Sequence, residues 1–214
     1  MFEHELFLFS SIHPNIKKHP NKKNIMIILS QNMTNLDMEI PPEAIFRINL
    51  AWINSLNELK SILEKHQDHK IFLDLPKNRT KPPNNKYSME EIEPILKNFS
   101  NIKYFAISNV DSDQDLTPFL KFLPEHIIPV PKIESPSGVK NIKNIATMLP
   151  DEKIVMLDHD DLYSKMIKNN EDSNNFQNYI KSLIEFCDSN NVKLLRTVGV
   201  VFGDNERRTS DYVK

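Results

Sequence analysis

Short runs of Ile, Val, Leu and Phe recur along the chain, and most are followed by a polar segment whose apolar residues fall at helical spacing. The runs are 24-NIMIILS-30, 45-IFRINL-50, 70-KIFLDL-75, 103-KYFAIS-108, 127-IIPVPKI-133, 153-KIVML-157 and 193-KLLRTVGVVF-202. Between them, 54-NSLNELKSILEKH-66, 88-SMEEIEPILKNF-99, 114-QDLTPFLKFL-123, 138-GVKNIKNIATML-149 and 174-NNFQNYIKSLIEFCDSN-190 have the period of amphipathic helices. Strands spaced about 25 residues apart with helices between them predict parallel strands joined by helical crossovers. Seven strands, with an eighth offered by 5-ELFLFS-10, predict a TIM (β/α)8 barrel, trimmed or incomplete at one unit because the connection from 30 to 45 leaves little room for a first helix. No linker divides the chain, so residues 1–214 are expected to form a single domain.

Composition narrows the chemistry. A formal net charge of −2 argues against nucleic acid or an anionic membrane as partner, and no apolar run has the length of a membrane span. The single cysteine, Cys187, and an amino terminus unlike a secretory signal lead to the expectation of a cytoplasmic protein. Three glycines, at 138, 199 and 203, exclude a glycine-rich phosphate loop. Any bound phosphate or carboxylate would be held by side chains or a metal.

In a barrel, chemistry gathers at the carboxyl ends of the strands. There the sequence delivers Arg47 and Asn49, Asp74 followed by Arg79, Ser108 and Asn109, Lys132 and Glu134, 158-DHDDLY-163, and Arg196 with Thr197. Lys132 and Glu134 are two residues apart and therefore share one face of their strand. Buried charges are costly unless paired or bound to a metal, so two readings stand: a network of structural ion pairs, or a site for a hard cation. In the second, Glu134 and Asp161 supply oxygen ligands of the kind Mg²⁺ or Mn²⁺ takes, and no Cys or His cluster has the spacing of a zinc site. Asp160 and His159 lie in what reads as a loop beside them, and Trp52 reads as packing.

These residues carry a resemblance to pyruvate kinase. The run 127-IIPVPKIESPSGVKNIKNI-145 resembles its K-I-E-N-x-x-G-V-x-N-I segment, and 154-IVMLDHDDLY-163 resembles I-M-V-A-R-G-D-L-G. Similar pairs join 46-FRINLAW-52 to A-R-x-N-F-S-H, 71-IFLDLPKNR-79 to L-D-T-K-G-P-E-I-R, and 104-YFAISNVDSDQDL-116 to F-I-A-x-S-F-V-x-x-x-x-D-V, while 181-KSLIEFCDSNNVKLLRT-197 resembles the helix and strand ending in A-T. HpcH/HpaI aldolases and citrate lyase share that barrel and its Glu…Asp metal pair. The resemblance implies that Glu134 and Asp161 bind the divalent metal and that Lys132 neutralises charge on an enolate or phosphoryl oxygen. It implies further that Thr197 serves proton transfer, that Arg47 and Arg79 grip phosphate, with Ser108 nearby, and that Asn49 and Asp74 descend from a monovalent-cation site.

Departures from the pattern sharpen the expectation. Ala51 and Trp52 stand where the second-strand motif has Ser and His, and Leu75 where a Thr follows the third-strand aspartate, so two ligands are missing and the monovalent cation is expected to be lost. No inserted lid follows Arg79, which favours carbon–carbon bond chemistry over ADP phosphorylation. Glycines of R-G-D-L-G are absent from 158-DHDDLY-163, and Asp160 adds negative charge. The expected function is a metal-dependent enzyme, lyase or transferase, that handles phosphoenolpyruvate, pyruvate or a related 2-oxoacid as its enolate. The competing reading is a noncatalytic binding or assembly protein on the same barrel. A homo-oligomer would offer one way to complete the missing unit.

Overall fold

A computed structural model describes residues 8–9, 26–30, 43–77 and 83–196. Eight strands lie in one sheet in sequence order: β1 (Leu8–Phe9), β2 (Met26–Ser30), β3 (Ile45–Asn49), β4 (Lys70–Leu75), β5 (Ile102–Ile107), β6 (Ile128–Ile133), β7 (Ile154–Leu157) and β8 (Lys193–Arg196). All neighbours from β2 to β8 pair in parallel. The helices are α1 (Leu56–Lys65), α2 (Met89–Asn98), α3 (Thr117–Leu120), α4 (Pro136–Lys140), α5 (Ile142–Thr147), α6 (His159–Lys168) and α7 (Phe176–Ser189).

The amino-terminal segment departs from the expected barrel. β1 is two residues long and pairs antiparallel to β2, so it does not supply an eighth parallel strand. Among the described residues no pairing joins β8 back to β1 or β2. The architecture is a partial, TIM-like α/β barrel rather than a complete (β/α)8 barrel. Its curl is visible in the packing. One face of the sheet buries Phe46, Leu73, Phe105, Ile133 and Val155 with residues of the helices. The other buries Ile28, Ile45, Phe72, Tyr104, Ala106, Val130, Ile154, Met156 and Leu195, all from strands. Phe72, Val130 and Ile154 are fully buried, and among the described residues their cluster contains strand residues alone, in keeping with a sheet curled about its inner face.

Strand alternation decides which residues reach that inner face. In β3, Ile45 lies inside and Phe46 and Ile48 outside; in β4, Phe72 lies inside and Ile71 and Leu73 outside. An irregularity between Ile71 and Phe72 pairs Phe72 with Tyr104 rather than Lys103, which puts Tyr104 and Ala106 inside.

Local capping explains the helix starts. Ser55 and Ser88 accept hydrogen bonds from the amides of Glu58 (3.1 Å) and Glu91 (3.3 Å), and the Ser88 amide donates back to the Glu91 carboxylate at 2.8 Å. The 114–123 and 138–149 segments are shorter or broken relative to expectation, giving only α3 and a split α4–α5 pair. The segment after β7 differs more: 158-DHDDLY-163, expected as a loop, caps and begins helix α6 (His159–Lys168). Asp158 caps it by accepting from the Asp161 amide, acidic residues fill its first turn and Lys165 and Lys168 its last. Leu162 and Met166 bury its inner stripe.

Candidate metal and oxyanion site

The inner face changes character along its length. Going up β3 it runs Ile45, Arg47, Asn49; up β4, Phe72, Asp74; up β6, Val130, Lys132, then Glu134 just past the strand; up β7, Ile154, Met156, then Asp158. Lys132 pairs with Met156 across the β6–β7 ladder, so Glu134 and Asp158 are the next same-face positions at the carboxyl edge. The strand period therefore delivers the charged side chains together.

Their contacts form two linked groups. Arg47 donates from Nη2 to the carboxylate of Asp74, both buried. Lys132 Nζ lies 2.7 Å from Glu134 Oε1, 4.0 Å from Asp158 Oδ2 and 3.3 Å from Ser108 Oγ. Burial works against the Lys132 ammonium, but Asp74, Glu134 and Asp158 outweigh it and raise its pKa, so the lysine stays charged. Burial pushes the Glu134 carboxyl up, opposed by Lys132 and reinforced by Asp158. Glu134 Oε2 accepts the Asn109 amide at 2.7 Å. Oε1 carries the ion-pair contact with Lys132.

Glu134 and Asp161, the pair expected as ligands, lie near each other, and Asp158 lies with them. One oxygen from each of the three lies within 4.8 Å of the others. Three carboxylates meet the Lys132 ammonium at the edge, while Arg47 and Asp74 pair with each other. An all-oxygen donor set of this kind fits a hard divalent cation. Glu134, Asp158 and Asp161 are the residues that would hold it.

Sequence reasoning missed Asp158, although its parity with Met156 was a usable signal. Other expected residues are placed differently. Asn49 accepts from the Ala51 amide at 3.0 Å and caps the short turn at Leu50–Trp52. Trp52 is half-exposed rather than packed. Asp160 is exposed on α6. His159 is buried in the first turn of α6, where Arg196 donates to its Nε2 from Nε at 3.3 Å; burial first, then Arg196, drives its pKa down to about 4. Arg79 and Thr197 lie outside the described residues.

Fold and site together define a partial parallel α/β barrel with an acidic, lysine-bearing carboxyl edge. No protein-family model and no curated protein sequence matches the chain. Solved structures do. RipC from Yersinia pestis superposes with a TM-score of 0.52 at 15% identity, over 78% of this chain and 79% of that one. An HpcH/HpaI aldolase from Desulfitobacterium hafniense DCB-2 gives a TM-score of 0.51 at 11% identity, over 70% of this chain and 66% of that one. At such identities the likeness is one of fold. No helix among the described residues is long and apolar enough to cross a membrane.

Proposed function

We propose that the chain is a divalent-metal-dependent lyase of the aldolase type, acting on pyruvate or a related 2-oxoacid through its enolate. The observation that carries this reading is the meeting of Glu134, Asp158 and Asp161 beside a charged, buried Lys132 at the carboxyl edge of the sheet. The aldolase among the structural neighbours supports it as an analogy of fold.

Mg²⁺ or Mn²⁺ at the three carboxylates would supply Lewis-acid polarisation of the 2-oxo oxygen. Lys132 contributes fixed positive charge and N–H donors where oxyanion charge develops, oriented by its contact with Ser108. Because Lys132 is held as an ammonium, it does not offer the free amine that imine-forming aldolases need. Arg47, engaged by Asp74, steadies the layer beneath the edge. Thr197 and Arg79 keep the proton-transfer and anion-gripping roles that the pyruvate kinase resemblance implies.

One observation favours the noncatalytic alternative. The Lys132–Glu134 and Lys132–Asp158 contacts already give the carboxylates an internal counter-ion. Calorimetric titration separates the readings: Mn²⁺ should bind the wild type, oxalate, an enolate mimic, should bind only after Mn²⁺, and Glu134→Ala should lose both. A wild type that binds neither would leave an ion-pair network and sink the enzyme.

A further inference from the structure

Asn109 sits where three walls of the edge meet. It follows β5 with φ 57°, in the left-handed region that Asn tolerates better than most residues. That conformation lets its two ends face different elements. The backbone amide donates to Glu134 Oε2 at 2.7 Å. The side-chain Nδ2 donates to the Lys77 carbonyl beyond β4, and Oδ1 accepts from Lys165 Nζ on α6 at 2.5 Å. Lys165 is four residues after Asp161, hence on the same side of α6. The neighbours reinforce the placement: Ser108 meets Lys132, the Val110 amide donates to the Lys132 carbonyl at 3.2 Å, and Gly138 admits the Val110 carbonyl so closely that a Cβ would lie 2.7 Å from it.

We propose that Asn109 is a positioning residue for the cation, a role that rests on the metal-site reading above. Its amide fixes one oxygen of Glu134 and turns the other toward the cluster. Its carboxamide ties α6, with Asp158 at the cap and Asp161 in the first turn, to the strand edge that carries Glu134. Asn109 thereby sets the distance between carboxylates that come from two different elements, without touching the cation itself. Outer residues that orient ligands typically contribute about 10- to 100-fold to metal affinity.

Asn109→Gly isolates the side chain, since glycine keeps the left-handed backbone and its amide while removing both carboxamide ties. Binding of Mn²⁺ alone is measured by electron paramagnetic resonance, with water-proton relaxation of the bound ion as a second readout, in the full chain. The expected result is Mn²⁺ affinity weakened by about 10-fold or more. Bound Mn²⁺ in the variant should also relax water protons more strongly, because water replaces a carboxylate released with α6. A purely structural role would lower the melting temperature without raising relaxivity per bound ion. Wild-type affinity and relaxivity in Asn109→Gly would overturn the role of Asn109 while leaving the metal site standing. A wild type that binds no Mn²⁺ would overturn both.

Discussion

The two ends of the sheet's inner face are built from the same strands and do opposite things. At the amino end Ile45, Phe72, Tyr104, Val130 and Ile154 meet as a strand-only apolar cluster, with Phe72 and Tyr104 ring centroids 6.0 Å apart. Two residues further up, Arg47, Asp74 and Lys132 bury charge, and Glu134 follows two beyond Lys132. Apolar burial stabilises by roughly 25 cal/mol per Å² removed from water, whereas a buried ion pair about breaks even against an apolar replacement. The lower end thus supplies stabilising apolar burial, whereas the charges of the upper end add little net stability.

The largest predicted effect breaks the lower end. Phe72→Ala should cost about 3–5 kcal/mol, because the side chain is fully buried and the strands around it cannot collapse without uncurling the sheet. Urea denaturation measures it. A loss below about 1 kcal/mol would mean the inner face is not closed on itself.

The upper end should respond differently to Lys132→Met. Removing the ammonium leaves Glu134 and Asp74 buried without it, costing about 3 kcal/mol near neutral pH. The deficit should shrink on acidification. Glu134, whose pKa burial already raises, rises further without Lys132; a group raised in the folded state contributes most below its unfolded pKa, near 4.5, and loses that contribution as pH rises. Chemical denaturation of variant and wild type between pH 7 and pH 5 checks the narrowing. A deficit independent of pH would show that packing, rather than an uncompensated carboxylate, was lost.

The same contrast explains what was legible in the sequence. Strands β3, β4, β5, β6 and β7 begin and end within a residue of the apolar runs that predict them, because burial on both faces leaves a continuous apolar signature. The pairing of Lys132 with Glu134 followed from the strand period alone. Asp158 was harder to see because 158-DHDDLY-163 mixes two functions. Its polarity reads as loop, yet it is a capped helix start whose cap residue also faces the cluster. The role of Asn109 left no sequence signal, since it depends on contacts with Lys77, Glu134 and Lys165, which lie 32, 25 and 56 residues away. The incomplete barrel was legible only as a shortage of residues between 30 and 45; the antiparallel direction of β1 required the structure.

The smallest predicted effect sits at the amino end, where β4 is entered, and has the opposite pH sign. His66 caps the end of α1, buried, with its ring 4.3 Å from that of Phe46 and 5.5 Å from that of His69. Its pKa is lowered, first by burial, then by His69 and Lys65, so the fold prefers the neutral ring. A depressed folded pKa contributes stability that is complete above the unfolded value, near 6.5, and is lost as pH falls toward the folded one. Acidification should therefore weaken this end, by at most about 1.4 kcal/mol per pH unit for one proton, over the same range in which it relieves Lys132→Met at the other end. His66→Phe, which keeps a ring against Phe46, should flatten the acid limb of the wild-type stability curve between pH 6.5 and pH 5. An unchanged limb would assign the proton uptake to other groups and remove the difference in pH sign between the two ends.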